Sequence, residues 1–133
     1  MSALPNFLAI ILAAVASFAV GGLWYSKMGF GKQLMEETGI TEEKAKQADM
    51  KKVFGGAFAL NFLAALVLAL YLKANQSLMD AVSFGFAAGS CWVATAIGVN
   101  YLFEGKSLRL FLINGGYVIV QYTLMGLVLG FFL

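Results

Sequence analysis

Charged and apolar residues are segregated along this chain. Four apolar runs, at residues 7–25, 53–72, 81–103 and 110–133, contain no Asp, Glu, Lys, Arg or His. A helix rises about 1.5 Å per residue, so about 20 such residues match the ~30 Å hydrocarbon core of a bilayer. Lipid offers the backbone no hydrogen-bond partners, and a helix satisfies its own. The pattern therefore predicts an all-α fold, a membrane-embedded four-helix bundle with spans near residues 6–26, 53–72, 80–103 and 109–132. Residues 27–52 form a helical cytoplasmic loop on this reading, and residues 1–133 a single transmembrane domain.

The local signals refine that outline. Pro5-Asn6 starts the first helix, and Trp24-Tyr25 closes it where amphipathic rings favour the membrane interface. Ala14-Val15-Ala16 is a passable cleavage motif, but no Lys or Arg precedes it and the apolar run continues beyond it. An uncleaved first span is expected. Gly29 and Gly31, on either side of Phe30, break the helix, and Lys32 to Thr38 form a short amphipathic segment ending near Gly39. Thr41 then caps a polar helix, with Glu42 and Glu43 in its first turn and Glu–Lys46 pairs along one side. That helix runs into span two with at most a kink at Gly55-Gly56. The links at residues 73–80 and 104–109 are short, which predicts that spans two and three, and spans three and four, are antiparallel neighbours.

Charge supplies an orientation. Eight of the nine Lys and Arg residues fall in the first and third links, leaving Lys73 alone on the other side. Loops rich in Lys and Arg stay in the cytoplasm, so both chain ends are expected outside it, in a bacterial inner membrane. With 61% hydrophobic and 12% charged residues, the chain lacks the surface of a soluble domain. A net charge of +2 without a basic cluster argues against nucleic acid as a partner. The chain has one cysteine, Cys91, and no histidine, which removes disulfide frameworks, the usual zinc sites and the commonest general base. No phosphate-binding loop motif is present, and no cofactor or metal is expected. Without His, paired acids or an activated thiol, the protein reads as a non-enzyme.

The interest then lies in polar residues within the spans. Asn61 and Asn114 are the costliest, because lipid satisfies none of their amide groups. Asn114, Tyr117 and Gln121 recur at i, i+3 and i+7 and so form a stripe on span four. Such a stripe serves either to fix helix register by interhelical hydrogen bonds or, with Asn61 and Asn100, to line a polar pocket or path. No span holds an ordinary acid or base, which disfavours proton-coupled transport. Small residues are spaced for close packing: Gly85 and Gly89 in span three, Gly126 and Gly130 in span four, and Ala9, Ala13, Ala16 and Val20 along span one. These faces exceed what one narrow seam needs, so a homo-oligomer is expected. Trp92 lies deeper than the other aromatics, and its indole nitrogen should find a partner, most simply a local carbonyl.

Asn6, then Trp24-Tyr25-Ser26 and Phe30-Gly31-Lys32, and later Trp92, Asn100, Phe103 and Asn114-Gly115-Gly116-Tyr117 together resemble an uncharacterised bacterial membrane family, DUF1761. Lys27 and Gln33-Leu34 stand where that family often has Pro and Trp. The resemblance implies a small multi-span protein and no particular reaction. Trp24, Tyr25, Ser26, Phe30 and Gly31 fall where span one leaves the membrane, with the aromatics as depth anchors and Gly31 allowing a tight return. Membrane lipids are the expected surroundings. The expected function is binding or permeation of a small neutral or lipid-like ligand, or, alternatively, a structural or accessory subunit acting through helix docking.

Overall fold

The computed structural model describes residues 7–26, 28–40, 43, 50–72 and 77–132. Expectations for Pro5, Asn6, Lys27, Thr41, Glu42, Lys44, Lys46 and Lys73 lie outside them. Among the described residues there are helices and no strands. Helix α1 is Phe7–Trp24, α2 Gly31–Thr38, α3 Met50–Tyr71, α4 Leu78–Ala88, α5 Ala94–Glu104 and α6 Leu108–Phe132. A π-helical turn, Gly89–Val93, joins α4 to α5 without a break. Four helical stretches are long and apolar enough to cross a membrane: α1, α3, the α4–α5 unit and α6. Gly55 and Gly56 do not interrupt α3.

The helix ends follow from local chemistry. Ser77 caps α4 by accepting from the Asp80 amide at 3.1 Å. Ser107 does the same for α6, accepting from the Leu110 amide at 3.0 Å. Gly39 and Gly105 end α2 and α5 in the left-handed conformation that favours glycine.

Spans one and four form the central pair. Span two, α3, lies against span one, and the α4–α5 unit lies against span four. Spans three and four are thus neighbours as their short link requires. Spans two and three are not a packed pair, contrary to what their short link suggested. They meet where Tyr71 stacks on Phe84, with ring centroids 6.4 Å apart. A short connection fixes only where two helix ends lie. Packing along the length is decided by where backbones can approach, and the glycines of α4 direct that approach to α6.

At that seam a Cβ added to Gly85 would run into the Tyr122 carbonyl oxygen, and one added to Gly126 into the Ala81 carbonyl oxygen. Gly89 abuts Val118 and Tyr122, and Gly130 would meet the Ala81 Cβ at 2.5 Å. Both glycine pairs are therefore used in packing within one chain. The buried small face steps by four through Ala81, Gly85 and Gly89, then by five to Ala94. The π turn supplies the extra residue that keeps Ala94 on the seam. Trp92 consequently points outward and is 68% exposed. Its ring meets Phe84 edge-on at 6.4 Å, and no indole hydrogen bond forms among the described residues, which corrects the expectation of a carbonyl partner.

The apolar core sits at the end remote from the charged links. Ala9, Ile10 and Ala13 of α1 meet Ala65, Leu68, Ala69 and Leu72 of α3, with Met125 and Leu129 of α6. Ile10, Met125 and Leu129 are fully buried, whereas Leu60, Leu70 and Phe131 lie exposed on the outer surface. In lipid this surface costs nothing, and helix association rests on close packing and interhelical hydrogen bonds.

Candidate functional site

The charged-link end is built around the exit of span one. After Trp24 the chain turns back on itself. The Phe30 amide donates to the Trp24 carbonyl at 2.6 Å, and the Gly29 and Gly31 amides each donate to the Ser26 carbonyl at 3.0 Å. Ser26 Oγ donates to the Leu23 carbonyl at 2.8 Å and accepts from the Met28 amide at 3.2 Å. Glycine is needed twice in this turn. A Cβ at Gly31 would sit 2.5 Å from the Tyr25 carbonyl oxygen, and one at Gly29 would collide with the Leu23 and Trp24 carbonyls. The tight return read from Ser26, Phe30 and Gly31 is thus present, and it delivers α2 alongside the start of α6.

Trp24 and Tyr25 reach across to span four. Trp24 Nε1 donates to the Ile113 carbonyl of α6 at 2.9 Å, and its ring lies 4.9 Å from that of Phe30. Tyr25 Oη donates to Asn114 Oδ1 at 2.6 Å, and Asn114 Nδ2 donates to Tyr101 Oη at 2.6 Å. One amide therefore joins spans one, three and four. The partner identities of Asn114 were not readable from sequence. The interfacial position of Tyr25 and Tyr101, each at the end of an apolar run, was the available signal.

The stripe on α6 continues along the same face. Tyr117 Oη donates to the Ser17 carbonyl of α1 at 3.2 Å, and its ring meets Tyr25 edge-on at 5.3 Å. Gln121 Nε2 donates to Asn61 Oδ1 at 2.6 Å, near the middle of both α6 and α3. Gln121 is buried. Asn114, Tyr117 and Gln121 are thus brought into one row: Asn114 engages spans one and three, Tyr117 span one and Gln121 span two. Asn100 stands apart: it is exposed, and its neighbour Tyr101 holds the place in the network. The row has the means to bind three helices to a fourth.

Among the described residues, clefts open on the outside of the helix cluster, three of which bear on function. One, of ≈ 400 Å³, lies between α5 and α6, with apolar walls from Gly98, Val99, Leu102, Leu108 and Phe111 and with Lys106 and Ser107 at one end. A second, of ≈ 370 Å³, is lined by Phe30, Gln33, Arg109, Leu112 and Ile113. The third, of ≈ 420 Å³, is walled by Val82, Phe86, Ile119 and Leu127 among others. Asn61, Asn114, Tyr117 and Gln121 line none of the three. Arg109 connects the second cleft to α2: its Nη1 lies 3.2 Å from Glu36 Oε2 and 3.7 Å from Glu37 Oε2. Ser107 Oγ also donates to Glu37.

Among the described residues no group of three or more His, Cys, Asp or Glu side chains could hold a metal ion. Comparison with curated proteins and with solved structures finds no match. The family model that does match is described as a protein of unknown function, DUF1761, and it spans residues 8–130. With nearly its whole length matched, from within the first span to the end of the last, the chain belongs to the DUF1761 family.

Proposed function

We propose that this is a non-enzymatic membrane protein that holds a lipid-like amphiphile in a cleft on its outer surface. The observation carrying this reading is the cleft between α5 and α6, whose walls are apolar and whose loop end carries Lys106 beside Ser107. Apolar walls suit an acyl chain, and an ammonium at one end suits an anionic or zwitterionic headgroup. Permeation is the weaker reading, because the amides that would line a path are hydrogen-bonded to neighbouring helices. Polar groups already bonded to neighbouring helices leave a solute fewer partners to exchange hydration for. Docking of a partner helix, as in an accessory subunit, finds support in the third cleft, whose walls are almost wholly apolar.

The orientation belongs to the same proposal: a bacterial inner membrane, with the Lys-rich links in the cytoplasm and both chain ends outside. The test is retention of lipid. Purified protein washed in a uniform detergent should keep about one phospholipid per chain, quantified by mass spectrometry. Val99→Trp, which fills the cleft from an exposed wall position, should strip that lipid without lowering the melting temperature. Reconstituted vesicles should show no solute flux above protein-free controls, with or without Asn114→Ala. Substrate-dependent flux that Asn114→Ala abolishes would overturn the proposal in favour of permeation.

A further inference from the structure

We propose that the cleft between the turn after α1 and the loop end of α6 seats a phospholipid headgroup bearing a protonated amine, with its phosphate on Arg109 and its ammonium on the Gln33 side-chain carbonyl. The inference rests on the reading that this protein binds an amphiphile, and it adds a second seat with a defined headgroup.

Three observations converge on that chemistry. First, Gln33 Oε1 is buried without a hydrogen-bond partner, and Gln33 lines the ≈ 370 Å³ cleft. A buried amide oxygen can only accept, so whatever completes it must donate. Second, carboxylates lie close to the cleft: Arg109 faces Glu36 and Glu37 within 4 Å. A donor that also carries positive charge suits that neighbourhood. Third, Arg109 is itself a cleft wall, and its ion pairs engage Nη1. A guanidinium offers five N–H donors in a planar fork that suits phosphate.

A headgroup with both features has a phosphate and an N–H-bearing cation a short chain apart, as phosphoethanolamine does. Phosphocholine has the charge but no N–H donor. Phosphoglycerol has hydroxyl donors but no cation. The acyl chains also have a route. Leu112 and Phe30 form the outer edge of the cleft, at 60% and 39% exposure, and Leu112 belongs to the lipid-facing side of α6. The site thus joins a polar recess at the charged-link end to the apolar outside of span four, the form a membrane lipid requires.

The experiment is native mass spectrometry of the delipidated full-length protein with equimolar dioleoyl phosphatidylethanolamine, phosphatidylcholine and phosphatidylglycerol. The wild type should retain phosphatidylethanolamine about five-fold over each of the other two. Gln33→Leu, similar in size but without the acceptor, should bring that ratio close to one. Gln33→Glu should raise it above the wild-type value. Gln33→Leu should melt as the wild type does, since Gln33 bonds to no neighbouring side chain among the described residues. A wild-type ratio near one, or a Gln33→Leu ratio unchanged from wild type, would overturn the proposal and leave water as the partner of Gln33. Free phosphoethanolamine displacing the lipid at equal concentration would overturn the lipid assignment. If the ratios fail while Val99→Trp still strips bound lipid, the α5–α6 reading stands alone. If the wild type retains no phospholipid at all, both fall.

Discussion

The two ends of this molecule are held together by different means. At the end remote from the charged links, Ile10, Leu68, Met125 and Leu129 interlock as an apolar core with small alanines between them. At the charged-link end, Trp24, Tyr25, Tyr101 and Asn114 join three spans through side-chain hydrogen bonds. The difference follows from the solvent. Burying a leucine gains little in lipid, so the apolar end depends on fit, and its tolerance to change is set by backbone proximity and cavity volume. The polar end depends on groups that lipid cannot satisfy, so its tolerance is set by whether each partner remains paired.

The largest effect should come from the backbone contact that serves the apolar end. Gly85→Ile places a branched side chain against the Tyr122 carbonyl and should cost about 3 kcal/mol or more. Reversible unfolding in bicelles would measure it, and a loss below about 1 kcal/mol would mean that α4 and α6 do not approach so closely. Met125→Ala leaves a cavity in the apolar core and should cost about 2 kcal/mol by the same assay. At the polar end, Asn114→Leu removes two hydrogen bonds and leaves the Tyr25 and Tyr101 hydroxyls unpaired. It should cost about 1–2 kcal/mol, with Tyr25→Phe restoring part of the loss when combined with it. The exposed ion pair between Arg109 and Glu36 should matter least: Arg109→Gln should cost under about 0.5 kcal/mol and less still at high salt.

The two ends were not equally legible in the sequence. The spans were, because hydropathy and helix rise fix their lengths almost independently of tertiary structure. So was the turn at Ser26, Phe30 and Gly31, where local glycine spacing carries the information. The row Asn114, Tyr117 and Gln121 was visible from helical periodicity alone. Its partners were not, because periodicity says which residues share a face and nothing about which helix that face meets. Asn100 illustrates the limit. It lies one residue, or about 100° of helix, from Tyr101, and the π turn between Gly89 and Val93 moves the face of span three by a residue before either is reached. The five-residue step from Gly89 to Ala94 was the only trace of that shift in the sequence. Loop length misled for spans two and three, because a short link constrains ends and the glycine face of α4 constrains the whole length.

The most direct test of the account is a double-mutant cycle on Asn61 and Gln121, the part-buried pair midway between the two ends. Asn61→Leu, Gln121→Leu and the combination, unfolded reversibly in bicelles, should give a coupling of about 1 kcal/mol, because the amides stabilise one another across spans two and four. A coupling indistinguishable from zero would contradict the claim that the polar row of span four is spent on its neighbours.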